Sequence, residues 1–295
     1  MIQLDFGQRW LNRRDSYRHS DNINPADYEV APIDGDGSDT IAKAFVREHH
    51  YSGTYPAARE RIGLYFRKTG KLVGIAVFSH PPSEDVLGKL PCDRLEGVEL
   101  GRFVLLPSVP GNGETWFLAR CHEILRPRGY RVLISHSDPV RRRKLDGTLV
   151  LPGHVGFIYQ AGSMVYGGRS KRQLHVLKPD GTVFSPRSMT KIRLAESGYF
   201  RSIRELVDIG ARAPTATELE TRNGRRDWMW RSIEATCRRL EHGGNFRYLF
   251  ALDKRLSRKV ADLGVSHPVA LGFAGPIGRM VYPKVIDQEP EARAA

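Results

Sequence analysis

Apolar residues first fall into a regular pattern at residue 38. In S-D-T-I-A-K-A-F-V-R-E-H-H, Ile41, Ala44 and Phe45 repeat at helical spacing, and Ser38 or Asp39 can cap the first turn. After the loop Y-S-G-T-Y-P, the runs I-G-L-Y-F-R and L-V-G-I-A-V-F-S, joined by K-T-G-K, predict a strand hairpin. A Pro-rich loop, H-P-P-S-E-D, precedes a third strand, V-E-L-G-R-F-V-L-L. The segment E-T-W-F-L-A-R-C-H-E-I-L then sets Phe117, Leu118, Cys121, Ile124 and Leu125 on a helical stripe. It stops at R-P-R-G, and Y-R-V-L-I-S-H-S-D-P reads as another strand. G-H-V-G-F-I-Y-Q-A-G-S-M-V-Y-G-G-R-S reads as a helix closed by its glycine pair, followed by L-H-V-L-K, the turn P-D-G-T and V-F-S. Helix, hairpin, strand, helix, strand, helix, strand is the order of a mixed α/β layer, not of a doubly wound repeat.

The flanks have a different texture. Residues 1–36 are polar, carry Arg9, Arg13, Arg14 and Arg18, and end in I-D-G-D-G-S, which predicts a basic, loosely packed arm ahead of a core over 37–200. Segments 201–210, 215–242 and 247–264 read as helical. Residues 201–259 hold 14 Lys or Arg against 8 Asp or Glu, so a basic, mainly helical extension is expected over 201–285. The tail over 286–295 reads as disordered. The whole chain carries 46 basic against 33 acidic residues, a net charge of +13. Such an excess favours a polyanionic partner through phosphate contacts and counterion release.

Cys92, Cys121 and Cys237 are far apart and lack CxxC spacing, which disfavours a disulfide framework and a structural zinc site. No apolar run reaches membrane-spanning length, and the first residues lack a signal-peptide core. A soluble, cytoplasmic protein is expected.

Three stretches carry candidate chemistry. The first is V-P-G-N-G-E-T, residues 109–115, between a predicted strand and a predicted helix. Backbone amides freed by glycine there, aligned with the helix dipole, suit an anion. That makes Val109, Gly111, Asn112, Gly113, Glu114 and Thr115 candidate ligands of a phosphate or pyrophosphate. The second is His49-His50-Tyr51-Ser52 at a helix end, where histidines can also simply complement the dipole. The third is Ser135-His136-Ser137-Asp138 at a strand end. Strand alternation puts Ser135 and Ser137 on one face and His136 and Asp138 on the other.

Tyr159 and Tyr166, seven apart, would share a helix face; Tyr159 reads as a core aromatic and Tyr166 as the functional one. Arg141, Arg142, Arg143 and Lys144 form a basic loop, and Arg102, Arg169 and Lys171 are further candidates for phosphate. The W-M-W-R of 228–231 is explained more simply by a buried helix face than by base stacking.

Strand, glycine loop, helix, strand, then a helix of form A-x-x-x-x-Y-x-x-G resembles the core of GNAT-type N-acyltransferases. That resemblance implies a donor's pyrophosphate on residues 109–115 and a leaving group protonated by Tyr166. Ser108 stands where the pattern has Gln or Arg. A narrower resemblance follows from H-H-Y-S-G, V-P-G-N-G-E-T-W-F-L-A-R-C, S-H-S-D-P, G-H-V-G-F-I-Y-Q-A and Y-G-G-R-S, which occur in this order. Together they resemble the Mom family of bacteriophage DNA-modification proteins.

The resemblance implies a GNAT-like fold. It also implies conversion of adenine N6 in double-stranded DNA to a carbamoylmethyl group, which protects phage DNA from host restriction. It points to His50, Tyr51, Ser137, Asp138 and Tyr166 as the catalytic set. The donor is implied to be a coenzyme A thioester such as acetyl-CoA, or a glycine-derived donor such as glycyl-tRNA, which would make tRNA a partner. Divalent iron held by His50, His136 and Asp138 is an alternative feature, and a homodimer is left open. The rival readings are an acetyltransferase acting on protein, RNA or a small amine, and a non-catalytic nucleic-acid-binding protein.

Overall fold

The computed structural model describes residues 9–11, 15–17, 21–82, 85, 87–265, 282–284 and 286–287. Its elements, in order, begin with β1 (Arg9–Leu11), β2 (Asp15–Tyr17), β3 (Tyr28–Pro32), α1 (Ser38–His49), β4 (Ala58–Phe66), β5 (Lys71–Ser79), β6 (Gly97–Leu105) and α2 (Gly113–Leu125). They continue with β7 (Val132–Ser137), β8 (Arg142–Arg143), β9 (Leu149–Leu151), α3 (Phe157–Ala161), β10 (Val165–Arg169), β11 (Gln173–Leu177) and β12 (Val183–Phe184). The last are α4 (Pro186–Leu194), α5 (Tyr199–Val207), α6 (Ala216–Glu220), α7 (Arg222–Thr236), β13 (Arg238–His242), β14 (Phe246–Ala251) and α8 (Ser257–Asp262). Two compact units result. One comprises Met1–Pro139, Gly153–Ser170 and Asn245–Ile286; the other comprises Val140–Pro152, Lys171–Gly244 and Asp287–Ala295.

The first unit is built on a seven-stranded sheet in the order β10-β14-β7-β6-β5-β4-β3. Every neighbouring pair is antiparallel except β6 and β7, which run parallel and are joined through α2. Helices cover both faces, so β5 reads as an unbroken buried run from Val73 to Ser79. On one face Phe117, Leu118, Cys121 and Leu125 of α2 pack against Leu64, Phe78, Leu100 and Leu133. On the other, Ala42 and Val46 of α1 cover Ile75, Val77 and Val104, while Val260 of α8 covers Val132, Ile134 and Leu249. Val132, Leu133 and Ile134 thus alternate between the two cores, as a strand must. The expected mixed α/β layer is present.

The second unit has a three-stranded sheet, β12-β11-β13, and the β8-β9 hairpin. Helices α4 to α7 gather around Trp228, Met229, Ile233, Ile192, Ile203, Leu206 and Phe184. Trp228 is buried and donates its indole N–H to the Arg212 carbonyl at 2.9 Å, so the buried-face reading of W-M-W-R holds. Among the described residues no helix is long and apolar enough to cross a membrane.

Three expectations are corrected. The single helix over 154–170 is a five-residue α3, because Gly162 and Ser163 (φ 59°) turn the chain and Val165–Arg169 then enters the sheet as β10. Residues 201–285 are not one helical extension. Arg238–His242 and Phe246–Ala251 are strands, and the latter, F-R-Y-L-F-A, sits between β10 and β7 inside the large sheet. Aromatic residues alternating around Arg247 favour a pleated surface over a helix. The arm over 1–36 contributes β3, whose Tyr28 is buried. The disordered-tail expectation for 286–295 lies mostly outside the described residues.

If β14 is a core strand, Phe246→Ala should cost about 3–5 kcal/mol of stability in urea unfolding. A loss below about 1 kcal/mol, normal for a peripheral residue, would contradict this placement.

Candidate functional site

The site begins where two strands part. The parallel pairing of β6 and β7 runs from Gly97↔Val132 to Leu100↔Ser135 and goes no further. At that point β6 carries an extra residue relative to β5: Phe78 faces Leu100, Val77 faces Arg102, and Gly101 is bulged between them. A Cβ on Gly101 would sit 3.2 Å from both Pro56 and the Ser79 hydroxyl, so the bulge is tightly enclosed. Beyond it β6 stays with β5 and β7 stays with β14, which leaves a split in the sheet.

Polar side chains collect around this split. Arg102, the residue after the bulge, donates to the Thr54 carbonyl at 2.7 Å and to the Thr54 hydroxyl at 2.5 Å, tying the 51–54 loop to the strand. Burial lowers the Arg102 pKa, and Tyr51, Glu99 and Tyr159 lie close enough to shift it back electrostatically. Glu99 reaches His136, whose Nδ1 is 2.8 Å from its carboxylate.

His50 is buried at the end of α1, and the Ser52 amide donates to its Nδ1 at 3.1 Å. Its imidazole lies against the Tyr51 ring, with centroids 4.1 Å apart and planes tilted by 32°. The Tyr51 hydroxyl meets Nε2 of His154 at 2.9 Å. Burial pushes the His154 pKa down to about 4, so this ring is neutral at neutral pH.

His154 follows the second chain entry into this unit, and its amide donates to the Asp138 carbonyl at 2.8 Å. Thus Tyr51 and the S-H-S-D strand end, 84 or more residues apart in sequence, share one partner. Two residues on, Gly156 has φ +76°, and a Cβ there would lie 2.6 Å from the Tyr159 ring, 2.8 Å from Tyr248 and 3.2 Å from the Ser137 hydroxyl. Only glycine allows this approach. Tyr159 is buried, in hydrogen-bonding contact with Ser135, and desolvation raises its pKa to about 12. Ser137 is fully buried, and its hydroxyl has no hydrogen-bond partner among the described residues.

The predicted residues divide accordingly. His50, Tyr51, Ser137 and Asp138 are brought together. Tyr166 is on strand β10, not a helix: it is buried, pairs with Tyr248 and packs edge-on against Phe246. Tyr159 is the helical tyrosine at the split. His154, Tyr159 and Glu99 are the residues that sequence reading passed over. The available signals were His154 within G-H-V-G and a charged pair, Glu99 and Arg102, flanking a glycine in an otherwise apolar strand.

No group of three His, Cys, Asp or Glu suited to a metal occurs among the described residues, so nothing in the structure supports the iron alternative on His50, His136 and Asp138.

The 109–115 loop does connect a strand to the N-terminus of a helix. Val109 is buried, Asn112 adopts φ 62°, Gly113 opens α2, and the Thr115 hydroxyl donates to the Asn112 carbonyl at 3.1 Å. Its glycine amides are not open, however. Gly111 donates to the Asp21 carbonyl at 2.6 Å and accepts from Ile23 at 2.8 Å, and Gly113 donates to Pro110 at 3.3 Å. Asn112 is also held by Asn22, and the acidic Glu114 lies in the first turn.

Of the basic candidates, Arg102 and Arg169 belong to the first unit, where Arg169 lies over the Phe246 ring. Arg141, Arg142, Arg143, Lys144 and Lys171 belong to the second. There Arg141 donates to Pro152, Arg143 donates to Gly147 and Lys171 is exposed.

Compared with known proteins, residues 27–268 match the model of the Mom protein family. No curated protein sequence matches. Among solved structures, a GNAT family N-acetyltransferase (YhbS) from Escherichia coli in complex with CoA aligns over 41% of this chain and 68% of its own, with 15% identity and a TM-score of 0.29. A ribosomal-protein-S5-alanine acetyltransferase from Vibrio fischeri aligns over 53% and 87%, with 14% identity and a TM-score of 0.33. A tandem GNAT protein from the clavulanic acid biosynthesis pathway aligns over 72% and 68%, with 12% identity and a TM-score of 0.34. At such scores the description of the fold rests on the sheet itself.

The buried histidines set an acid limit on stability. His122 and His154 both have folded pKa values near 4, lowered by burial from 6.5. Each takes up a proton on unfolding between pH 6.5 and 4, so stability should fall as pH drops through that window and stay flat just above it. Urea midpoints at pH 7 and pH 5 check this; equal midpoints would contradict it.

Proposed function

The chain belongs to the Mom protein family, whose model spans most of it, and from that premise we propose an acyltransferase-type enzyme acting on DNA. The acceptor is the N6 amino group of adenine, and the product is the carbamoylmethyl derivative that protects phage DNA from restriction. The observation that carries the reading is the Tyr51–His154 pair beside Tyr159 at the split between β6 and β7.

Adenine N6 is a weak nucleophile because its lone pair is delocalised into the ring, so it must lose a proton as its new bond forms. His154, kept neutral by burial, is suited to accept the Tyr51 proton, and Tyr51 to accept one from N6. Tyr159, with its pKa raised to about 12, retains its proton at neutral pH and can give it to the leaving group. The adjoining His50 and Tyr51 rings offer aromatic faces to an extruded base. Extrusion is required because N6 is paired inside a duplex.

Acyl transfer from a glycine-derived donor such as glycyl-tRNA would join its carbonyl carbon to N6 and release the tRNA hydroxyl. Isomerisation of the N6-glycyl adduct would then give the carbamoylmethyl group, with its nitrogen supplied by glycine. A coenzyme A thioester such as acetyl-CoA would leave an N6-acetyl group and free thiol instead. The placement of the 109–115 loop suits a donor, whereas its engaged Gly111 amide does not fit a pyrophosphate. N6-glycyl and N6-carbamoylmethyl adenine are isomers, so a mass alone does not identify the product.

Co-expression with a plasmid, followed by chromatography and fragmentation of its nucleosides, tests the reading. Modified adenine is expected with the intact protein. His154→Ala and Tyr159→Phe should lower it about a hundredfold or more, whereas Tyr166→Phe should keep it within about tenfold. Unmodified adenine would sink the proposal in favour of another amine acceptor or a non-catalytic binder.

A further inference from the structure

The second unit carries charge out of proportion to its size. Residues 140–152 and 171–244 hold 19 Lys or Arg against 10 Asp or Glu, a net of +9. Much of it is neutralised locally: Arg187 pairs with Glu196, Arg212 and Arg231 with Glu218, Arg226 with Asp227, and Arg239 with Glu234. Helix α5 is different.

Its sequence, Y-F-R-S-I-R-E-L-V, turns Ser202, Ile203 and Leu206 into the core beside Ile192, Trp228 and Ile233. The opposite face shows Phe200, 61% exposed, with Arg201 and Arg204 one turn apart. The acid of the helix, Glu205, is drawn away to Lys178 at 2.8 Å. Among the described residues the Arg201 and Arg204 side chains have no hydrogen-bond or ion-pair partner.

The helix is also presented in a defined way. α4 ends at Leu194, the chain turns through Ala195 (φ 51°) to Gly198 (φ 81°), and α5 begins at Tyr199. The turn is closed by Glu196 N–H on the Lys191 carbonyl at 3.1 Å and Tyr199 N–H on Glu196 at 3.0 Å. Helix α7 packs against both members of the pair. Two helices joined by a four-residue, glycine-containing turn are the arrangement by which helix-turn-helix proteins hold a second helix outward.

We propose that the α4–α5 pair docks duplex DNA, with α5 lying along the major groove. Arg201 and Arg204 contact phosphate or guanine edges, and Phe200 gives apolar contact to a base edge such as the thymine methyl group. The major groove of B-form DNA admits a helix, while that of A-form RNA is too narrow, so the partner is DNA. The inference deepens the reading of DNA as the substrate and depends on it. It assigns part of the affinity to a surface outside the catalytic cluster.

The test is fluorescence anisotropy of the full chain with a labelled duplex of about two helical turns over a range of salt. Arg201→Ala/Arg204→Ala should weaken binding by about tenfold or more and lower the slope of log affinity against log salt by about two. Phe200→Ala should weaken binding with the slope unchanged. Arg231→Ala, which removes a single positive charge that is already held in a salt bridge with Glu218, should leave the slope as in the parent. All substitutions are on exposed side chains, and thermal melts verify that the variants fold. Wild-type affinity and slope in the double variant would overturn the assignment while leaving DNA as the substrate, and so would preference for duplex RNA of the same sequence. A parent protein that binds no duplex would remove both the assignment and the DNA reading.

Discussion

The parallel contact between β6 and β7 is the constraint on which the first unit turns. It lasts four residue pairs and ends because Gly101 is bulged out of register with β5. A continuous ladder would bury Glu99 and Arg102 in a closed sheet with few partners for them, which physical chemistry disfavours. An opening there makes the same residues useful. It lets the 51–54 loop reach Arg102 and sets Tyr159 over Ser135. The strand crossover demanded by a parallel pair supplies α2, and with it the 109–115 loop.

The second dependency is a glycine. Gly156 packs where Tyr159, Tyr248 and Ser137 converge, two residues after His154. Tyr248 comes from β14, nearly a hundred residues later, and its hydroxyl donates to the Val155 carbonyl beside that glycine. The chain therefore leaves the first unit after Pro139, returns with Gly153, leaves again and returns with Asn245 to finish the site's support. The intervening residues form a separately packed, basic module. This division suits an enzyme whose acceptor is part of a long polyanion, since capture and chemistry can use different surfaces.

Periodicity made the hairpin β4–β5, helices α1 and α2 and strand β7 readable, because each has an apolar stripe facing a core of its own. The S-H-S-D cluster and the His50-Tyr51 pair were readable for the converse reason: polar residues stood where apolar ones would pack. Two kinds of feature escaped. Short elements governed by long-range pairing, β10 and β14, read locally as helix because their own sequence does not record the neighbour that completes them. With that reading Tyr166 falls on a helix, whereas it lies on β10 and the short helix carries Tyr159. The partnership of His154 with Tyr51 spans 103 positions and has no local signature. The engagement of Gly111 by Asp21 was likewise invisible, since a glycine loop looks the same whether its amides are open or taken.

The central claim is that the split between β6 and β7 receives the adenine. Its most direct test is photocrosslinking with a duplex carrying a single photoreactive adenine, followed by mapping of the labelled peptide. The account predicts adducts on the 50–54 loop or on residues 154–159. Labelling confined to other segments, with those two peptides unmodified, would contradict it.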